Sequence, residues 1–431
     1  MIDRLPVLQA AKRATASERL RVTDIEVHDI AVPYNEGIAY ELNHYYGPKR
    51  RTIYVVHTNQ EWVGLGESGS RAGDDVLNQY IGSNPFDWVG DETSLALGTA
   101  MYDIMGQATG VPVYKLFGKK HRSWVPAAAW TVSTHPKRMA QAVQQFAKRG
   151  YTWMKYHLSP YENVLDQMAA MQAVAPKGFK IHHDLTMGGT DDHVFELLDA
   201  ISKFPIAGCF EDPLPEQDIE GYAELRRKCR IPILYHHAPL GATFEVQQRA
   251  ADGYILGHSP IGGTIQHAGL FALLEVPFSL QNTGGTITRA MCAHMHAAFK
   301  MATLHFNSLS ETCAADVVKE RLEPINGWVR VPEQPGLGLT LDRAELERLK
   351  ALKLPTLPKW IIKTTFANGT IMYNPCQTGD SMALVRPDNQ RRITLRHDAP
   401  AVTEYWDPDG SPAFAAMMTR LEQEGTVLER P

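Results

Sequence analysis

The chain has no apolar run approaching the roughly 18 residues that a membrane span needs. It also lacks an excess of either charge. Lys+Arg number 43 and Asp+Glu 48, a formal net charge of −5, so there is no general attraction for phosphate backbones or anionic bilayers. Nucleic acid and membrane are therefore not expected as partners. Cysteine is scarce and irregular: Cys209, Cys229, Cys292, Cys313 and Cys376 are five, an odd number, with no C-x-x-C pair. That argues against a disulfide framework or a zinc knuckle and predicts buried, reduced thiols. The opening stretch, MIDRLPVLQAAKRATASERLR, is basic without the apolar core of a secretory signal, so a cytoplasmic protein is expected. What is present is an ordinary globular mixture, 44% apolar and 21% charged, over 431 residues. At roughly 150 residues per domain that suggests two or three domains. Histidine is the unusual ingredient. Ten of the seventeen fall between His182 and His305.

Three textures divide the chain. Residues 22–70 read as extended segments, with Asn59-Gln60 between RTIYVVHT and EWVGLGES like a hairpin turn. Residues 92–117 carry a helical pattern ending in Thr109-Gly110-Val111-Pro112, glycine then proline just past a helix. From 123 to about 320, short apolar runs recur, each closing on a polar residue and followed by an amphipathic stretch. Eight strands are expected, at 124–130, 152–157, 179–184, 206–211, 231–237, 253–258, 276–282 and 304–310. Strand then helix, eight times over, is the arithmetic of an α/β (β/α)8 TIM-type barrel. The alternative, an open doubly wound sheet, is weakened by the absence of a G-x-G-x-x-G turn. Further on, PGLGLTLDRAEL reads as a turn, an extended piece and a short helix. Beyond residue 355 come a hairpin signal at Asn368-Gly369, a turn at Asp407-Pro408-Asp409-Gly410 and a helix in AFAAMMTRLEQEG. Asn368-Gly369-Thr370 also fits a glycosylation acceptor, but the turn reading is preferred.

The polar strand ends are regularly spaced. Lys155, Asp184, Glu211 and His237 follow one another at 29, 27 and 26 residues, the length of a strand, a helix and two loops. They are expected at one level, at the C-terminal mouth of successive strands, where barrel enzymes keep their chemistry. Lys155 and His157, two apart, face the same side. His182 should be core one layer below Asp184, while His183 and His236 should face the helices. His294, His296 and His305 sit in helical or buried patterns and carry no assigned chemistry.

Further motifs accompany this order. Gly66-Glu67-Ser68 precedes SLALGTAMYDIMGQATGVPVYKLFG (94–118), and the strands carry Lys155-Tyr156-His157, Asp184 and Glu211-Asp212-Pro213. Gly262-Gly263-Thr264 and Pro335-Gly336-Leu337-Gly338 follow. Together they resemble the enolase superfamily, in its mandelate racemase and muconate-lactonizing branch, over roughly residues 20–350. The helix motif is similar to that branch's A-h-[YW]-D-h … G-x-P-h-Y-x-L-h-G, where h is apolar. The resemblance implies an α+β capping domain over 1–122, the barrel over 123–320 and a return to the cap over 321–354. A C-terminal extension of unknown role, 355–431, lies beyond it.

The resemblance also implies a chemistry. Removing the proton next to a carboxylate places a second negative charge beside the first; a divalent cation stabilises the ene-diolate while a nearby lysine or histidine takes the proton. Family members hold Mg²⁺ on three carboxylates, of which Asp184 and Glu211 match two. The third position falls on His237, and this imidazole suits Mn, Fe, Co, Ni or Zn better than Mg. Three readings stay open: another metal, a weakened Mg²⁺ site, or no metal and direct action by the histidines. Lys155 matches the first family lysine, whereas His157 stands where the proton-abstracting lysine is usual. Imidazole, with a free pKa of about 6.5, can do that work near neutrality.

On the opposite face neither a lysine nor an Asp–His dyad is present, which leaves His258. Glu311 matches a carboxyl that donates to the enediolate, or else is a helix N-terminal acid. The loop 33–47 is expected to close over the substrate and supply Tyr34, His44 or Tyr45, with Gln281 and Asn282 at the seventh strand's end. Acid-sugar dehydration is the leading expectation, because syn elimination can reuse a one-sided base. Racemisation or epimerisation, cycloisomerisation, and a metal-free barrel acting as a binding protein are the alternatives. A small carboxylate substrate and a homo-oligomer are the implied partners.

Overall fold

The computed structural model describes residues 19–159, 162–186, 191–238, 241–354, 356–376 and 401–431. Most of the basic opening stretch (1–18) lies outside them. Three antiparallel strands, β1 (Val22–Val32), β2 (Lys49–Thr58) and β3 (Val63–Ser68), pair in the order β1-β2-β3 and form the cap's sheet. The β2–β3 connection is the hairpin at Asn59-Gln60. Helix α1 (Glu36–Tyr45) fills the excursion between β1 and β2. Helix Leu95–Thr109 starts on a Ser94 side chain that accepts from the Leu97 N–H and stops on Gly110 in the left-handed conformation. It packs directly on β3. A Cβ on Gly64 or Gly66 would lie 2.2 Å from the carbonyl oxygen of Ala100 or Ala96, so only glycine permits this approach.

Two short strands, β4 (Trp124–Pro126) and a later partner at Trp328–Arg330, pair antiparallel beside the barrel. The expected strand 124–130 is thus divided. Its second half enters β5 (Ala129–Val132), the first of seven parallel strands. The others are β6 (Trp153–His157), β7 (Lys180–Asp184), β8 (Ala207–Glu211), β9 (Ile233–His236), β10 (Gly253–Gly257) and β11 (Phe278–Gln281). They hydrogen-bond in sequence order, β5 through β11, and each is followed by a helix. The expected eighth strand is reduced to isolated parallel bridges, Ala127↔Phe306, Phe278↔Ala302 and Gln281↔Asn307, which join β11 back to the segment leading into β5. The chain is therefore a TIM-type barrel with an α+β cap. Gly262 and Gly263 lie in the first turn of helix Ile261–Leu274.

The strand at Trp328–Arg330 is β12. Residues past 355 build a four-stranded antiparallel sheet from β13 (Trp360–Phe366), β14 (Ile371–Cys376), β15 (Ala401–Trp406) and β16 (Val427–Glu429), ordered β15-β13-β14-β16. Alternation along β13 serves two cores. Ile361 joins Tyr373, Leu421 and Val427 under helix Pro412–Glu424, while Trp360 and Ile362 belong to the main core. The sheet clasps α1. His44 Nε2 lies 2.7 Å from Asp407, Tyr40 donates to Asp407 at 2.8 Å, and the His44 ring stacks on Tyr405. All five cysteines are free, and no helix among the described residues is long and apolar enough to cross a membrane.

Glu162 lies in a small cavity with Tyr40, Arg138, Thr403 and Tyr405, at the seam between barrel and extension. Burial pushes its carboxyl up to about 8, and only the Thr403 backbone N–H opposes this. A carboxyl raised in the folded state stabilises the fold fully below its unfolded value near 4.5, and that contribution is lost as pH rises through 8. The thermal midpoint should therefore fall between pH 6 and pH 9, and Glu162→Gln should flatten this dependence.

Candidate active site

Strand register decides which side chains meet. Trp130 pairs with Lys155 and Lys155 with His182, while His157, Asp184 and Glu211 pair one layer higher. Lys155 therefore starts below the carboxylates, not level with them as the spacing suggested. Its long side chain rises to place Nζ 3.0 Å from Asp184 Oδ2, 2.6 Å from Glu211 Oε2 and 2.6 Å from the Gln281 Oε1 that accepts from it. All four groups are buried. Burial alone would lower the Lys155 pKa, but the two carboxylates reverse this and hold it raised. Burial and mutual repulsion push Asp184 upward, yet Lys155 and His157 bring it well below the usual carboxylate range. Glu211 is likewise held low, its burial outweighed by Lys155 and His236.

His157 reaches Asp184 Oδ2 at 3.2 Å through Nε2 and the Tyr45 hydroxyl at 2.8 Å through Nδ1. Its ring stands edge-on to Trp130. Tyr45 thus ties the end of α1 to the barrel mouth.

The fifth strand requires a correction. Leu234 faces the barrel interior with Cys209 and Ile255, and Tyr235 stacks outward on Tyr222, so alternation turns His236 inward. His236 Nδ1 lies 2.9 Å from Glu211 Oε1. His237 has left the strand with φ 67°, is exposed, and stacks on His236 at 3.8 Å. Counting residues through a helix and two loops gives the level of a strand end but not the parity of its side chains. Two features set this end. Asp212 Oδ1 accepts from the His236 backbone N–H, and Gly257 leaves space where a Cβ would lie 2.6 Å from His236 Nε2. Burial and the Glu211 charge beside it push the Asp212 carboxyl well above the usual carboxylate range. Sequence reasoning missed its role, although it lies inside the Glu211-Asp212-Pro213 motif.

Other expected residues divide. Tyr34 lines the main cavity, and so does His258, at the opposite rim. His258 is reached by solvent but stands in a crowded concavity. Burial, with His236 and His237 nearby, lowers its pKa to about 4. His44 is turned away, onto the C-terminal sheet. Asn282 is buried and accepts from the His258 backbone N–H, so it braces the rim. Gln281 serves Lys155. Glu311 is buried 3.5 Å from Arg289, which also donates to Tyr151, and does not line the cavity. His183 faces the helices, with Met168 and Tyr156 as neighbours. His182 is buried as expected, but it links layers: Nε2 is 2.7 Å from Glu211, and Nδ1 is 2.8 Å from His305 Nε2.

Asp184, Glu211 and His236 offer ligand atoms within 4.8 Å of one another. Glu211 Oε2 is met by Lys155 Nζ and His182 Nε2 and its Oε1 by His236 Nδ1. Convergent ligand atoms of this kind fit a divalent cation, and two oxygens with one nitrogen suit a transition ion at least as well as Mg²⁺.

Two expectations follow. His236→Ala should weaken Mn²⁺ or Co²⁺ binding, measured by calorimetry, beyond the roughly 10–100-fold that loss of an outer partner costs, while His237→Ala leaves it nearly unchanged. Lys155→Met leaves two buried carboxylates facing each other and should destabilise the metal-free protein by about 3–5 kcal/mol in urea unfolding.

Comparison with known proteins agrees with this geometry. Residues 138–345 match the family model described as enolase C-terminal domain-like. The chain is 23% identical over 263 residues to an arabinonate dehydratase of Saccharolobus solfataricus, covering 58% of this chain and 70% of that one. It is 26% identical over 272 residues to muconate cycloisomerase 1-2 of Acinetobacter lwoffii, covering 59% and 69%. Among solved structures, an enolase of Pseudomonas fluorescens Pf0-1 with bound magnesium, potassium and tartrate superposes with a TM-score of 0.63 at 20% identity, covering 77% and 92%. Over residues 138–345 the chain is thus enolase C-terminal domain-like, and the curated relatives it resembles there include a muconate cycloisomerase and acid-sugar dehydratases.

Proposed function

We propose that this protein removes the proton α to the carboxylate of a small hydroxy or sugar acid and eliminates water from it. The observation that carries this reading is the His157–Asp184 pair standing beside the buried Lys155, Asp184 and Glu211 charges at the barrel mouth. A divalent cation on Asp184, Glu211 and His236 would supply charge stabilisation to the substrate carboxylate as its second negative charge develops. Lys155, held protonated by its carboxylate neighbours, is a fixed positive charge beneath that position and not the base.

The base is His157. With the ring proton on Nε2, facing Asp184, Nδ1 carries the lone pair and accepts from the Tyr45 hydroxyl. Substrate must take the place of that hydroxyl, so α1 and the base respond to the same event. Nδ1 takes the α-proton, Asp184 stabilises the resulting imidazolium, and the same proton then goes to the departing β-hydroxyl. Water leaves and the enol product tautomerises to a 2-keto acid. Racemisation would need a proton donor on the other face. Burial, with His236 and His237 nearby, lowers His258 to about 4, which makes it a poor proton donor there at pH 7. The names of relatives, arabinonate and D-galactonate dehydratases among them, support the same choice.

The test is an acid-sugar library in D2O with Mg²⁺, Mn²⁺, Co²⁺ or Zn²⁺ added, read by α-proton exchange and 2-keto acid formation. His157→Asn should lower the rate about 10²–10⁴-fold while metal binding persists. Glu211→Gln should abolish both. Absence of exchange with every acid and every metal would reject the proposal.

A further inference from the structure

Between the cap and the barrel mouth lies a cavity of about 440 Å³, at the small end of the range for ligand sites. Trp130 and His258 line it from the barrel and Tyr46, just past α1, from the cap; the Trp130 ring stands edge-on to the His157 ring at 5.3 Å, which sets the cavity beside the reacting centre. The cap-side wall is β2, which contributes Lys49, Arg50 and Arg51. Among the described residues no aspartate or glutamate lines the cavity.

Arg51 is only 5% exposed, yet its Nε and Nη2 have no hydrogen-bond acceptor. Nη2 stands 3.5 Å from Glu67 Oε2 in a long buried ion pair, and Glu67 is held from its other oxygen, Oε1, by the Gly285 and Thr288 backbone N–H groups at the start of helix Thr286–Ala298. Lys49 is spent on neutral acceptors, the Leu309 carbonyl, Thr312 Oγ1 and Cys313 Sγ, and so keeps its charge uncompensated by a carboxylate. A buried guanidinium with idle donors is costly unless a ligand completes it, and its planar fork matches a carboxylate or phosphate.

We propose that the cavity takes a dianionic acid: one carboxylate at the reacting end and a second anionic group, carboxylate or phosphate, seated on Arg51 with Lys49 adding charge. This rests on the dehydration reading and narrows its substrate. Arg51 is then a specificity-determining residue that holds the far end of the substrate and takes no part in proton transfer.

The experiment compares gluconate with glucarate and with 6-phosphogluconate under the library conditions. Glucarate or 6-phosphogluconate should exceed gluconate at least tenfold in kcat/KM, and whichever of the two prevails names the second group. Arg51→Gln should erase that preference by raising KM for the dianion, and Arg51→Lys should restore part of it. Equal turnover of gluconate and both dianions by the wild type, or an equal loss for all three in Arg51→Gln, would overturn the inference while leaving the dehydration reading intact. If none turns over, thermal-shift titration of the wild type with the same acids decides. Stabilisation by a dianion and not by gluconate supports the anion site even as the dehydration reading fails, and no difference overturns it. Because the wild-type comparison needs no variant, misfolding of Arg51→Gln does not remove the test.

Discussion

The barrel interior depends on one ammonium group. Lys155 Nζ lies within 3.0 Å of two buried carboxylates, and without it Asp184 and Glu211 could not both stay ionised in a space closed to water. Everything around the triad extends this compensation. Gln281 fixes the ammonium from the far strand, His182 and His236 approach Glu211 from two sides, and His157 approaches Asp184 from above. The ring of β-strands is what makes such crowding reachable, since it points consecutive strand ends at one axis.

From this centre, constraint passes outward through aromatic and polar side chains. His157 meets Tyr45, the last residue of α1, while His44, one residue earlier, is held by Asp407 and the Tyr405 ring of the C-terminal sheet. Adjacent residues of one helix end thus look into the site and into the extension. The extension therefore acts on the wall of the site, a physical role that its position in the chain did not suggest. A helix gripped on both sides closes the mouth with less loss of conformational freedom than a free loop would.

Much of the fold and part of the site were legible in the chain. Strand-and-helix alternation marked β5 to β11 because a strand buried on both faces must be continuously apolar until it reaches its polar end. Lys155, Asp184 and Glu211 stood out by spacing, as did the pairing of Lys155 with His157 on one strand. The eighth strand was not legible as irregular, because its Phe306 and Asn307 bridges are set by closure of the ring and not by local propensity. Gln281 and Asn282 were read as substrate contacts, yet one serves Lys155 and the other braces His258. Polar residues at a strand end announce that they face something polar, not what it is.

By itself the sequence determined the layer architecture and marked Asp184 and Glu211, the two carboxylates of the buried cluster, since both follow from local pattern and spacing along the chain. Tertiary structure alone decided that His236 and not His237 completes the cluster, that Arg51 is buried with idle donors, and that His44 serves the C-terminal sheet. The reason is common to all three. Side-chain parity at a strand end and the partner of a long side chain depend on how separate elements are placed in space, and no count along one chain contains that placement.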